Sequence, residues 1–294
     1  MSVSTTQPSA KKINIAYLLM SVLPLVIMIC LITAAQLPAV FVGTYEQANA
    51  GEEFNLNLAL NYPMAQWTLA IGFITYAVIM IVSMTIWYRK AFLKNTVAIS
   101  NKESFSVKAI VITLIGIFGA LGLVESFLTV FTLAAPSKVE EFVELMHTSG
   151  IGSNPLITIV YACILGPITE ELVFRGVTQS CLTKANLPVS LVILIQAIFF
   201  GIAHMNLVQG SYAVILGVVL GIIRWKLGNV RIVCLFHILY NSLATYGSDL
   251  LESLNLPDAA YTVIYAVLGV IGIGLIFYLL KQPTRQTQEA VAVS

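Results

Sequence analysis

The sequence predicts an all-α fold, a polytopic membrane bundle of about eight transmembrane helices. Of the 294 residues 58% are hydrophobic and only 10% charged, and the mean hydropathy is +0.90. Uncharged apolar stretches recur between short polar breaks, each near the roughly 20 residues that cross a hydrocarbon core. A soluble chain carries roughly a quarter of charged residues. With 15 Lys+Arg and 14 Asp+Glu, a water-soluble enzyme of this length is therefore excluded. The stretches lack the alternation of barrel strands, and helices satisfy their own backbone groups in lipid. A net charge of +1 offers no basic field for nucleic acid. Cys30, Cys163, Cys181 and Cys234 lie in or at the ends of apolar runs without paired spacing, so they read as packing residues.

The first span, 13–37, follows Lys11 and Lys12 and exceeds the roughly 7–15 apolar residues of a secretory signal, so it is read as retained. A longer outer loop, 38–62, leads to span two, 63–88. Span three, 109–133, holds Glu125. In the second outer loop, 134–153, Val139, Phe142, Val143 and Met146 stand at helical spacing among glutamates and predict a short interfacial helix. His147 lies there and reads as solvated. Spans four to eight are 154–182, 187–205, 211–227, 230–247 and 259–280. The glycine runs Gly116-Gly119-Gly122, Gly217-Gly221 and Gly269-Gly272-Gly274 predict close-packed helix faces. Cytoplasmic termini put 14 of the 15 basic residues on the inner side and only Lys138 outside. Residues 13–282 thus form a single transmembrane domain between cytoplasmic tails, 1–12 and 283–294.

Polar groups inside spans are the candidates for chemistry, because lipid penalises each of them. Span four contains Thr169-Glu170-Glu171-Leu172-Val173-Phe174-Arg175. Glu171 and Arg175 stand at i,i+4 on one face and predict an ion pair. Glu170 is left unpaired beside another carboxylate, as a general base would be; alternatively it pairs with a cytoplasmic lysine and both glutamates are structural. Span five ends in Phe200-Gly201-Ile202-Ala203-His204, and span seven carries His237 and Asn241 at i,i+4. Read singly, each histidine is an interhelical hydrogen bond. Together, a carboxylate, two imidazoles and an amide suit the activation of one water and the stabilisation of an oxyanion. Equally, Glu170, His204 and His237 form a zinc set with an open fourth position. Neither HExxH nor Gly-x-Ser-x-Gly is present. Glu125 reads either as a substrate or ion contact or as a helix-packing hydrogen bond. At 1.5 Å per residue Glu170 lies about 21 Å from Lys184, His204 about 26 Å from Leu187, but His237 only about 9 Å from Arg231. The three meet only if spans four and five protrude or span seven is displaced.

The ordered set Glu170-Glu171-x-x-x-Arg175, Phe200-x-x-x-His204 and His237-x-x-x-Asn241 resembles the CPBP family of intramembrane proteases, which includes the CAAX prenyl endopeptidases and bacterial (Abi) proteins linked to bacteriocin self-immunity. All three motifs match at every defining position, in the family's order. The resemblance implies a membrane-embedded endopeptidase in which Glu170, aided by His204, activates water. His237 and Asn241 would orient substrate or oxyanion, and Glu171 with Arg175 would shape the site. The family has been described both as metalloproteases and as glutamate proteases; a glutamate mechanism without cofactor is favoured here, with zinc on Glu170, His204 and His237 as the other form. The implied partners are the lipid bilayer and a peptide or membrane-protein substrate, prenylated or lipid-like, at a cell membrane. The competing readings are a non-catalytic immunity or scaffold protein and an ion-coupled transporter using Glu125, Glu170 and Glu171. The transporter reading lacks inverted repeats and broken-helix pairs.

Overall fold

The computed structural model describes residues 12–93, 105–151 and 153–283, and among them every regular element is helical. The terminal tails, apart from Lys12 and Pro283, and Lys94 and Lys102 of the connection between spans two and three lie outside the described residues.

Helix α1 (Ile15–Met20) starts on the Asn14 side chain, which accepts from the Tyr17 amide. Helix α2 runs Leu23–Asn49, so the segment expected as a loop after residue 37 is in its first part a helix. Pro38 lies inside α2, one residue beyond the expected end of the span. It removes one backbone donor, a loss that membrane helices tolerate where neighbours compensate. What remains of the loop holds α3 (Leu56–Asn61), capped by Asn55. Helix α4 (Pro63–Tyr88) begins on a proline and ends in a π turn, Arg89–Leu93. Ser106 caps α5 (Val107–Ala134). The interfacial helix is present as α6 (Pro136–Thr148), with Val143 and Leu145 outward and Phe142 against Tyr212.

Helix α7 spans Leu156–Lys184 continuously. It is α-helical over Gly166–Glu171, but the turns on either side, Leu156–Leu165 and Leu172–Thr178, are π-helical. Single π turns cluster at functional sites, because the i→i+5 bond re-aims side chains and strands carbonyls. Then follow α8 (Val189–Ala203), α9 (Leu207–Leu227), α10 (Val230–Glu252) and α11 (Asp258–Lys281).

Each of the eight expected spans is a helix, yet among the described residues six are long and apolar enough to cross a membrane. The other two differ for separate reasons. Helix α8 has 15 residues, a rise of about 22 Å against a core of about 30 Å. Helix α10 has 23 residues, but its His237, Asn241, Ser242 and Thr245 dilute the apolar run. The chain is a multi-pass membrane protein.

The main core gathers Met80, Met84, Phe174, Phe200, Ile223 and Phe236. Helices α5 and α11 meet through glycine. A Cβ on Gly119 would lie 2.4 Å from Gly272 Cα, and one on Gly122 2.3 Å from Gly269 N. Gly217 and Gly221 let α9 close on α8 at Ala197 and Gln196. Gly274, expected on the same face, has open space instead.

Candidate active site

The π turns position the carboxylates. In α7 the Gly166 amide bonds to Tyr161 O. The residue five places beyond Ala162 is Pro167, which has no amide hydrogen. Ala162 O is therefore without a helical donor, and Asn241 Nδ2 of α10 supplies one at 2.9 Å. Asn241 thus pins α10 to α7 at the place where proline breaks the ladder. Its second amide hydrogen remains for other work.

Four residues towards its own N-terminus, α10 presents His237. Its Nδ1 donates to Glu171 Oε1 at 2.9 Å, and the same oxygen accepts from Arg175 Nη1 at 2.7 Å. Glu171 and Arg175 are fully buried and His237 is 2% exposed. Arg175 Nη2 reaches Gly217 O of α9 at 3.3 Å, and its guanidinium lies 4.5 Å over the Phe200 ring. Burying two charges is costly unless geometry and further hydrogen bonds compensate, and here both charges have several partners. The predicted i,i+4 pair is present, and it also fixes the tautomer of His237, because a carboxylate can only accept.

With Nδ1 engaged, the other ring nitrogen of His237 faces Glu170, Nε2 to Oε2 being 3.6 Å. This exceeds a direct hydrogen bond. The side chain of Glu170 is 17% exposed and has no other ion pair among the described residues. His237 therefore stands between the two adjacent carboxylates, bonded to one and facing the other.

His204 follows α8 as its C-terminal cap. Its Nδ1 bonds to Phe200 O at 2.8 Å. A carbonyl only accepts, so Nδ1 carries the proton and Nε2 is the basic nitrogen. Phe200 is the hub, edge-on to His204 at 4.9 Å and to His237 at 5.7 Å between centroids. Helix α10 packs along the Leu156–Glu171 part of α7, which brings His237 to the level of the two glutamates.

Sequence reasoning missed Gln196. It is fully buried, and its Nε2 donates to Gly217 O at 2.8 Å, the carbonyl that Arg175 also uses. A polar amide at i−4 from Phe200 and i−8 from His204, in an otherwise apolar helix, was the available signal. Around the pair, Thr169 Oγ1, Glu171 Oε2, Arg175 Nε and Gln196 Oε1 are buried without a protein partner. Such atoms are where a protein interior retains water.

A zinc ion would need three donors converging at about 2.0–2.2 Å. Among the described residues no three His, Cys, Asp or Glu are so disposed. Glu170, His204 and His237 as placed do not form that set, and the chemistry is derived below from side chains alone. Glu125 is half-buried on α5.

Residues 152–243 match the family model described as type II CAAX prenyl endopeptidase Rce1-like. The matched segment contains all six candidate residues and supports the resemblance to the CPBP family and an intramembrane protease of CAAX type. No curated protein and no solved structure matches the chain.

Proposed function

We propose that the chain is an intramembrane endopeptidase that hydrolyses a peptide bond of a membrane-associated substrate, prenylated or lipid-anchored, with water activated by Glu170. The observation that carries this reading is His237 set between Glu170 and Glu171, with the Phe200 ring edge-on to both His237 and His204. A water between Glu170 and His204 Nε2 meets two acceptors and is oriented for attack. Glu170 takes one of its protons as the remaining hydroxide adds to the scissile carbonyl carbon. His237 Nε2, when protonated, and the second Asn241 hydrogen are the donors for the oxyanion. Collapse breaks the C–N bond, and Glu170 passes its proton to the departing nitrogen, leaving a free carboxylic acid, which then ionises, and an amine. Glu171 and Arg175 hold His237 in orientation and touch no reacting atom. The domain is read as residues 13–282, with both termini in the cytoplasm.

Glu170→Gln, His204→Ala and His237→Ala in purified protein are each expected to lower cleavage of a farnesylated peptide by roughly 10²- to 10⁴-fold. Wild-type rates in all three would end the protease reading. The dense bonding of Glu171, Arg175, His237 and Asn241 also favours a second reading, a non-catalytic immunity or scaffold protein using the cluster for helix packing. Glu170 separates the two, since it has no packing hydrogen bond among the described residues. Glu170→Gln would then leave thermal stability intact and remove only activity.

A further inference from the structure

Apart from the cluster around Glu170, the structure holds a cavity of about 410 Å³ where α2 ends and α4 begins, within the range of roughly 300–1,000 Å³ of small-ligand sites. One wall is a stripe of α2. Phe41, Tyr45 and Asn49 stand at i, i+4 and i+8 with Glu46 beside Tyr45, and all four line the cavity. The other wall is the entry to α4, Tyr62 and Met64. Two hydrogen bonds hold the walls in place. Glu46 Oε2 accepts from the Ala65 amide at 3.2 Å, and the Tyr62 hydroxyl donates to Glu52 Oε2 at 2.8 Å.

The protein itself leaves these rings free. Among the described residues, Phe41, Tyr45 and Tyr62 pair with no other ring and hold no cation, and Phe41 and Tyr45 are exposed. Glu46 has no ion pair among the described residues. Three aromatic rings and a carboxylate without a counter-ion, lining one cavity, are complementary to an ammonium group.

The depth of the cavity indicates which ammonium is at hand. Helix α4 has 26 residues, a rise of about 39 Å, close to the roughly 40–45 Å of a bilayer with its headgroup layers. Arg89 and Lys90, both exposed, follow its far end, as basic residues do at a membrane surface. The cavity at its start therefore lies in the opposite headgroup layer. Exposed Trp67 follows Met64 by one turn of α4, in keeping with the aromatic belt of a membrane–water interface.

We propose that this cavity binds the ammonium headgroup of a zwitterionic phospholipid, choline or ethanolamine, between the rings of Phe41, Tyr45 and Tyr62, with Glu46 as counter-charge. The Asn49 amide is the donor on the same wall for the lipid phosphate. An acyl chain descends towards the bilayer core along Leu37, exposed one turn before Phe41 on α2. A headgroup without a cation leaves Glu46 uncompensated and is disfavoured. The site is independent of the protease reading.

The test uses the full chain, delipidated in detergent and given equal amounts of phosphatidylcholine, phosphatidylethanolamine and phosphatidylglycerol with identical acyl chains. Native mass spectrometry reads the lipids retained. The choline and ethanolamine lipids should be retained over the glycerol lipid by roughly 3- to 10-fold. Glu46→Gln, which still accepts from the Ala65 amide, should bring that ratio close to one. Tyr45→Ala should lower it, whereas Tyr45→Phe, which keeps the ring, should preserve it and so separates recognition from a loss of fold. Equal retention of the three lipids, or a ratio unchanged in both Glu46→Gln and Tyr45→Ala, overturns the proposal. Phosphocholine has the headgroup without the chains, so displacement of the bound lipid by an equimolar amount would assign the cavity to a soluble cation and overturn the lipid. A dimer present in the wild-type spectra and absent from those of Tyr45→Ala would assign the cavity to a second copy of the chain and overturn it as well.

Discussion

Arg175 donates to Glu171 Oε1 and Gly217 O and covers the Phe200 ring, so one side chain joins α7, α8 and α9 at the level of the reactive groups. Removing it leaves a buried carboxylate without its main partner. Arg175→Ala is expected to destabilise the protein by about 3–5 kcal/mol, read as a lowered unfolding temperature in detergent. The double variant Glu171→Leu/Arg175→Met should recover much of that stability, because an apolar pair of similar volume avoids desolvation. Its cleavage should stay low, since His237 has lost the carboxylate that orients it. Recovery of both stability and cleavage would show that the pair serves packing alone. The i,i+4 ion pair was legible because it lies within one helix. His237 as the bridge between two adjacent glutamates was not, since that contact depends on how two distant helices cross. Gln196 went unnoticed for the same reason: its partner is a backbone carbonyl, and no sequence pattern marks a carbonyl.

Helices were read correctly wherever hydropathy and periodicity are local properties, and misjudged at their ends. The first span is expected to end at residue 37, yet α2 continues through Pro38 to Asn49, because a span can lose one hydrogen bond when its neighbours hold it. The π turns around Glu170 left no trace in the composition beyond Pro167. Glycine spacing predicted close-packed faces on α5 and α11 but not that they meet each other, and it placed Gly274 on such a face wrongly; the periodicity of one helix does not say which partner it meets or how far that partner extends. These two positions make a matched test. Gly119→Ala would force the seam apart against Gly272 and should cost about 1–3 kcal/mol. Gly274→Ala meets open space and should be neutral or stabilise by up to about 1 kcal/mol through helix propensity. Unfolding midpoints of both variants in one detergent check the contrast, and equal midpoints would remove the seam from the account of stability.

For the molecule as a whole, the positive-inside bias sets the expected orientation. With the four native cysteines replaced by alanine, a cysteine at position 138 on α6 should react with a membrane-impermeant maleimide in intact cells. One at position 184, at the end of α7, should react only after permeabilisation; the opposite pattern would invert the topology. Composition and hydropathy by themselves determined the all-α multi-pass class, the positions of the helices, the intrahelical pair and the three motifs. These depend on residues within a few turns of each other, where hydrogen bonding and lipid solvation act locally. Only the tertiary structure decided that two of the eight helices fall short of apolar spans and that α10 packs along the Leu156–Glu171 part of α7. It also decided that Asn241 serves Ala162 O and that His237 meets both glutamates. Helix depth and crossing are set by the mutual packing of glycine seams and buried side chains, which no single segment encodes.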